Sequence, residues 1–169
     1  MADDDLVTVR VESGVGIVTI CNPPVNAFHP QRRFSAGYDI NLFLTQGLET
    51  LQRRDSVTDF LTHRIERGTK PVVAALCRVA LGAGLELALA CAARVCSQDV
   101  LLALPEIRLG VIPGLGGTQR LVRLAGLDRG LECMLQGTYL SAAQALDAGV
   151  VDQVVLGTSD EVVAAAKKL

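Results

Sequence analysis

Tryptophan is absent from this sequence of 169 residues, and aromatic residues make up only 4% of it. Small aliphatic side chains must therefore fill the core, as they do where helices pack on sheets. Lysine is almost as scarce: the 3 lysines and 13 arginines are scattered, and the net charge is −2. With no basic patch, nucleic acid and acidic membrane surfaces are not expected as partners, although single arginines can still meet phosphates. No apolar run is long enough to span a membrane, because Arg78, Glu86 and Arg94 interrupt the longest one. CxxC pairs are missing too. The five cysteines, Cys21, Cys77, Cys91, Cys96 and Cys133, form an odd set, and four lie in apolar runs where a thiol behaves as a small hydrophobe. No bound metal is expected, and a reducing compartment is. The acidic start, MADDD, lacks the basic residues and apolar run of a signal peptide.

Half of the residues are apolar, and this length suits one domain over 1–169 with a sizeable core. The β-branched runs 6–12 and 15–21, separated by Ser13-Gly14, predict a hairpin. Asn22-Pro23-Pro24 ends the second strand, since proline supplies no ladder donor. Residues 41–67 suit one or two surface helices. A buried strand is expected over 72–76, a helix over 85–93, a strand over 94–96 and a short extended piece over 100–104. Further helices are expected from 118 or 119 to 125 and over 127–136. Another spans 142–148, with Ser141 as N-cap and Gly149 as C-cap. A strand over 150–155 and a helix over 160–168 complete the chain. Strands alternating with helices argue an α/β layered fold, with no internal sequence repeat.

Residues 70–127 organise the rest. Glu86 and Glu106, 20 residues apart, stand in apolar surroundings, each beside a glycine-rich bend. A carboxylate placed there is costly unless it is paired, hydrogen-bonded or protonated, so the two acids point to a site. Solvated or ion-paired surface acids are the plain alternative. The two bends, starting at Gly82 and at Gly114, lack the third small residue of G-x-G-x-x-G, and neither carries the G-K-[ST] of a P-loop. A turn entering a helix leaves backbone N–H groups outside the intrahelical pattern, and such donors suit an oxygen gaining negative charge. Ala36 and Ala83 each adjoin a glycine in such a turn, making them candidates for a two-donor oxyanion hole. Glycines kept only for tight packing explain the same pattern equally well.

His29 and His63 have no triad partners at recognisable spacing and read as surface or loop residues. Ser35 and Ser97 lack a nucleophile-elbow context, and Asp39 reads as a helix cap. Arg108 and Arg120 can pair with acids or with a phosphate, pairing being the simpler role.

The segments NPPVNAF, FSAGYDI, KPVVAA with ALGAGLELALAC, LPEIRLGVIPGLGGTQRLVRLAGL and DAGVVDQV occur in this order. In this the chain resembles the enoyl-CoA hydratase/isomerase (crotonase) family, and above all the N-terminal hydratase part of multifunctional fatty-acid β-oxidation enzymes. The resemblance implies a ββα-repeat layered fold. Between Pro30 and Phe34 only three residues stand where the family places a helix and a strand, and the chain ends before the family's C-terminal helices. It implies an acyl-CoA thioester as substrate and no further cofactor. Ala36 and Ala83 would hold the thioester oxygen, although the family usually has glycine at the second position. Glu86 and Glu106 would handle water and protons, with Gly37, Gly82, Gly84, Pro105 and Gly114 lining the substrate. Hydration of 2-enoyl-CoA is the expected activity. A Δ3,Δ2-enoyl-CoA isomerase and an inactive, shortened oligomer-interaction module are the alternatives. A homo-oligomer of trimer type is expected. The peroxisome is the expected location, resting on the resemblance more than on the Lys-Lys-Leu ending, with mitochondrion or cytoplasm as alternatives.

Overall fold

The computed structural model describes residues 7–20, 35, 37 and 61–169. Ala36, Cys21, His29, Asp39, the loop at 22–30 and the helices expected over 41–60 lie outside them. Strands β1 (Val7–Glu12) and β2 (Val15–Ile20) form an antiparallel hairpin. Ser13 and Gly14 both have positive φ, 51° and 81°, the two-residue turn whose twist suits a hairpin. Residues 61–66 are helical. Six short strands follow: β3 (Val73–Leu76), β4 (Val79–Leu81), β5 (Ala93–Ser97), β6 (Leu101–Ala103), β7 (Leu140–Ser141) and β8 (Gln153–Val155). The helices are α1 (Ala83–Leu89), α2 (Gly117–Ala125), α3 (Leu127–Gln136), α4 (Ala142–Asp147) and α5 (Ser159–Ala166). A 3-10 turn, Glu106–Leu109, follows β6.

The strands sort into two layers. Strands β3, β5 and β8 make one parallel sheet, while β4, β6 and β7 make another, with β4 and β6 parallel. The pairs β3–β4 and β5–β6 each send their first strand to one sheet and their second to the other, and a helix follows each pair. This is the ββα repeat, present in topology without matching side chains. Arg78, with φ of 59°, turns the chain from β3 to β4. Leu76, Leu85, Leu102, Leu104, Leu121 and Val150 are almost fully buried in one core, and each such side chain contributes about 1.5–3 kcal/mol. Burial raises the thiols of Cys77 and Cys91 to about 11 and that of Cys96 to about 12, which favours their protonated form; Cys91 and Cys96 are small core hydrophobes, and Cys77 is half-buried.

Several boundaries differ from the sequence reading. Strand β4 was not foreseen; its apolar trio follows the two-residue connection Cys77-Arg78 and pairs with β6. Helix α1 begins at Ala83 because the Glu86 N–H already donates to Gly82 O at 2.9 Å. It ends at Leu89, and the Ala92 N–H donates instead to Val72 O at 2.8 Å. Val150 and Val151 are not in a strand: their N–H groups donate back to Ala145 O, at 2.8 and 3.2 Å. Ser141 caps α4 in a full capping box, but the C-cap is Ala148, and Gly149 follows it with φ of 70°. Among the described residues no helix is long and apolar enough to cross a membrane.

Candidate active site

The parallel pairing of β4 with β6 explains how acids 20 residues apart meet. Leu81 pairs with Ala103, so both strands finish at the same edge. Gly82 follows the first and donates its N–H to Ala103 O at 2.9 Å. Leu104, Pro105 and Glu106 follow the second. A third segment joins them, because Ser35 forms a parallel bridge with Ala80, its N–H donating to Val79 O at 3.0 Å. Gly37, with φ of 93°, then lies against the Gly82 turn: a Cβ there would stand 2.9 Å from Leu81 O and 3.5 Å from Ala83 N. The two turns read as oxyanion donors are thus neighbours, although Ala36 itself lies outside the described residues. Ala83 opens α1, so its N–H precedes the first intrahelical bond.

Glu86 stands on the first turn of α1 and is 1% exposed. Its Oε1 accepts the Leu115 N–H at 2.7 Å and the Gly117 N–H at 2.8 Å. Burial raises its pKa, opposed by those two donors, by the Arg120 charge and by the Gly114 N–H. The bend starting at Gly114 is therefore a carboxylate cradle, not an outward-facing anion site. Gly117 is required there, since a Cβ would come within 2.9 Å of Glu86 Cγ and Oε1 and of Leu104 Cδ1.

Glu106 opens the 3-10 turn behind Pro105, whose carbonyl accepts the Arg108 N–H at 2.9 Å. Its carboxyl reaches the Gly82 turn, where a Cβ on Gly82 would stand 3.0 Å from Glu106 Oε1. Its Oε2 is buried and has no hydrogen-bond partner among the described residues. Burial pushes its pKa up to about 7, with the Glu86 charge adding to the rise. The arrangement can exchange protons near neutrality and offers a backbone donor beside them.

The other candidates take varied places. Gly82 is buried at the centre of the site. Gly84 is buried against Ser35, whose Cβ and Oγ would lie 2.5 and 2.7 Å from a Cβ on it. Gly114 is exposed with open space around it. Arg120, read as an ion-pair former, does pair with Glu66, at 2.8 Å. Among the described residues Arg108 meets no acid: it donates to Gly137 O at 3.1 Å and lies over the Tyr139 ring. The roles of Leu115 and Gly117 as donors to Glu86 were missed. The signal was available: a glycine pair entering a helix, downstream of an acid in an apolar helix.

Glu106, after the end of β6, and Glu86, on the helix that follows the adjacent parallel strand β4, make a candidate two-carboxylate site on a layered ββα fold. The chain belongs to the enoyl-CoA hydratase/isomerase family, whose sequence model matches residues 30–169. It is 39% identical to the peroxisomal fatty acid beta-oxidation multifunctional protein of Oryza sativa subsp. japonica, over 96% of this chain and 26% of that one. A probable enoyl-CoA hydratase of Bacillus subtilis is 37% identical, over 92% of this chain and 70% of the relative. The solved structure of Pseudomonas aeruginosa DspI superposes with a TM-score of 0.90 at 27% identity, covering 99% of this chain and 74% of that one. The chain thus spans about a quarter of the rice multifunctional protein. The rice alignment runs over 194 positions, yet 96% of 169 residues is about 162, so about 32 positions face no residue of this chain.

Proposed function

We propose that this site adds water to a 2-enoyl-CoA thioester, as in fatty-acid β-oxidation. The observation that supports it is the Glu106 carboxyl, raised to about 7 and lying against the same turn that leads to Glu86. Ala36 and Ala83 N–H groups hold the thioester oxygen, which makes the β-carbon electrophilic. Glu86, whose ionised form the Leu115 and Gly117 donors favour, takes a proton from water as its oxygen bonds to the β-carbon. Glu106, protonated in part at neutral pH, gives its proton to the α-carbon. Water's second hydrogen remains on the new hydroxyl, and exchange with solvent restores both carboxyls. Gly37, Gly82, Gly84, Pro105 and Gly114 belong to the wall of this pocket.

A second reading has its own support. Among the described residues only Glu106 has a buried carboxyl oxygen without a partner, and a Δ3,Δ2-enoyl-CoA isomerase needs one main acid–base carboxylate. Hydration of crotonyl-CoA by the purified chain, followed by loss of the enoyl absorbance, separates the two. Loss of turnover in both Glu86→Gln and Glu106→Gln supports the hydratase. Turnover of a 3-enoyl-CoA that survives Glu86→Gln supports the isomerase. A folded chain inert toward both substrates supports the interaction module. Leu127, Leu131 and Leu135, exposed along one side of α3, support assembly into a homo-oligomer, checked by light scattering. The peroxisomal and glyoxysomal names of the plant relatives support a peroxisomal location, checked by imaging the tagged chain.

A further inference from the structure

We propose that Arg120 is a positioning residue for Glu86, acting through Leu115 and anchored from outside by Glu66; this rests on the two-carboxylate reading above. Leu115 is held on both sides of its backbone. Its N–H donates to Glu86 Oε1 at 2.7 Å, and its carbonyl accepts Arg120 Nη1 at 2.6 Å. The other edge of the guanidinium grips Glu66 as a fork, Nη2 to Oε2 at 2.8 Å and Nε to Oε1 at 3.3 Å. A continuous chain of hydrogen bonds therefore runs from Glu66 through Arg120 and Leu115 to the Glu86 carboxyl.

The glycine pair is shaped around this chain. Gly116 has φ of 93°, and the Arg120 guanidinium occupies the place where its Cβ would be, with Cζ 3.1 Å from that point. Gly117 leaves the corresponding space on the other side for Glu86. One glycine admits the clamp and the next admits the clamped group. Arg120 is 7% exposed. A guanidinium that deep is costly unless its donors are satisfied in fixed geometry, and here they are used on the loop and on Glu66. Its charge also favours the ionised form of Glu86, and the Glu86 charge in turn raises Glu106. Arg120 thus fixes both where Glu86 sits and when it ionises.

The test uses Arg120→Gln, Arg120→Lys and Glu66→Gln in the full chain, each checked for folding by circular dichroism. In Arg120→Gln, kcat for crotonyl-CoA falls about 100-fold with KM changed less than about threefold, the pattern of a displaced catalytic group. Two further readouts do not need activity. The Glu86 carboxyl, followed by 13C NMR, titrates at higher pH, and the Leu115 and Gly117 amides exchange faster than the rest of the core. Arg120→Lys keeps the charge but not the fork, so it restores the titration midpoint and only part of kcat. Glu66→Gln gives the smallest change in the same direction. The proposal is overturned if folded Arg120→Gln keeps the parent titration and amide exchange, or if exchange rises equally across the core. If Arg120→Gln does not fold, the other two variants are judged by the same two readouts. If the parent hydrates nothing, those readouts still decide the role of Arg120, while the hydratase reading fails separately.

Discussion

Glu106 lies against the turn that leads into the helix of Glu86, and the two acids are held in opposite ways. Glu86 is enclosed: its helix, two backbone donors and a clamped loop surround it. Glu106 sits on a single 3-10 turn, half-buried, with one oxygen that no described residue satisfies. Burial raises both carboxyls, but only at Glu86 do several donors and a cation oppose the rise. One side chain type thereby obtains two protonation habits from two environments, which is how a pair of acids can split acid and base work. In the proposed hydration the enclosed group is assigned the base role and the orphaned one the acid role.

The largest effect should come from breaking the orphaned side. Glu106→Gln keeps the shape but removes the titrating proton, and kcat for crotonyl-CoA should fall about 10²–10⁴-fold. Single-turnover kinetics would check it. A fall below tenfold would mean that Glu86 alone carries the proton work and that the contrast between the two acids is not functional.

On the enclosed side, Gly117→Ala places a methyl 2.9 Å from Glu86 Cγ and Oε1 and from Leu104 Cδ1, so the carboxyl or the loop must move. A displacement of that kind costs about 100-fold in kcat, and the melting temperature should drop with it. Gly82→Ala is the matching change on the other side. Its methyl comes nearest to Glu106 Oε1, at 3.0 Å, the far end of a side chain that can shift, although φ of 52° strains alanine. Its kcat should fall less than that of Gly117→Ala. The reverse order would show that Glu106, not Glu86, is the rigid member.

Much of this was legible in the sequence, and the limits have physical causes. The hairpin, α2, α3 and the capping box at Ser141 follow from short-range signals: paired positive-φ residues, a stopping glycine, and Ser141 with Gln144. Both acids were found because a charge in apolar sequence is conspicuous. Strand β4 was not, because Val79–Leu81 is too short to show alternation and exists through its pairing with β6. The purpose of Gly116 and Gly117 was hidden for a similar reason. A glycine pair before a helix reads as an outward-facing anion site, and only tertiary packing shows that the anion is the protein's own Glu86. The Arg120–Glu66 pair, 54 residues apart, has no local signature at all.

The smallest effect is on stability and centres on Glu106. Folding lifts the Glu106 pKa from an ordinary 4.5 to about 7, so the folded chain binds that proton more tightly than the unfolded one. Below about 4.5 both states hold it, and the stabilising contribution is fully present. Between 4.5 and 7 the unfolded chain has released it while the folded chain has not, so stability declines as pH rises; above about 7 the contribution is gone. Glu106→Gln cannot ionise, so its melting temperature should fall less between pH 5 and pH 8 than that of the parent. Glu86 is raised in the same direction and remains in both proteins. The difference between the two slopes therefore reports Glu106 together with its coupling to Glu86. Equal slopes in scanning calorimetry would mean that the folded environment does not hold the Glu106 proton, and the orphaned carboxyl would lose its claim to be the acid.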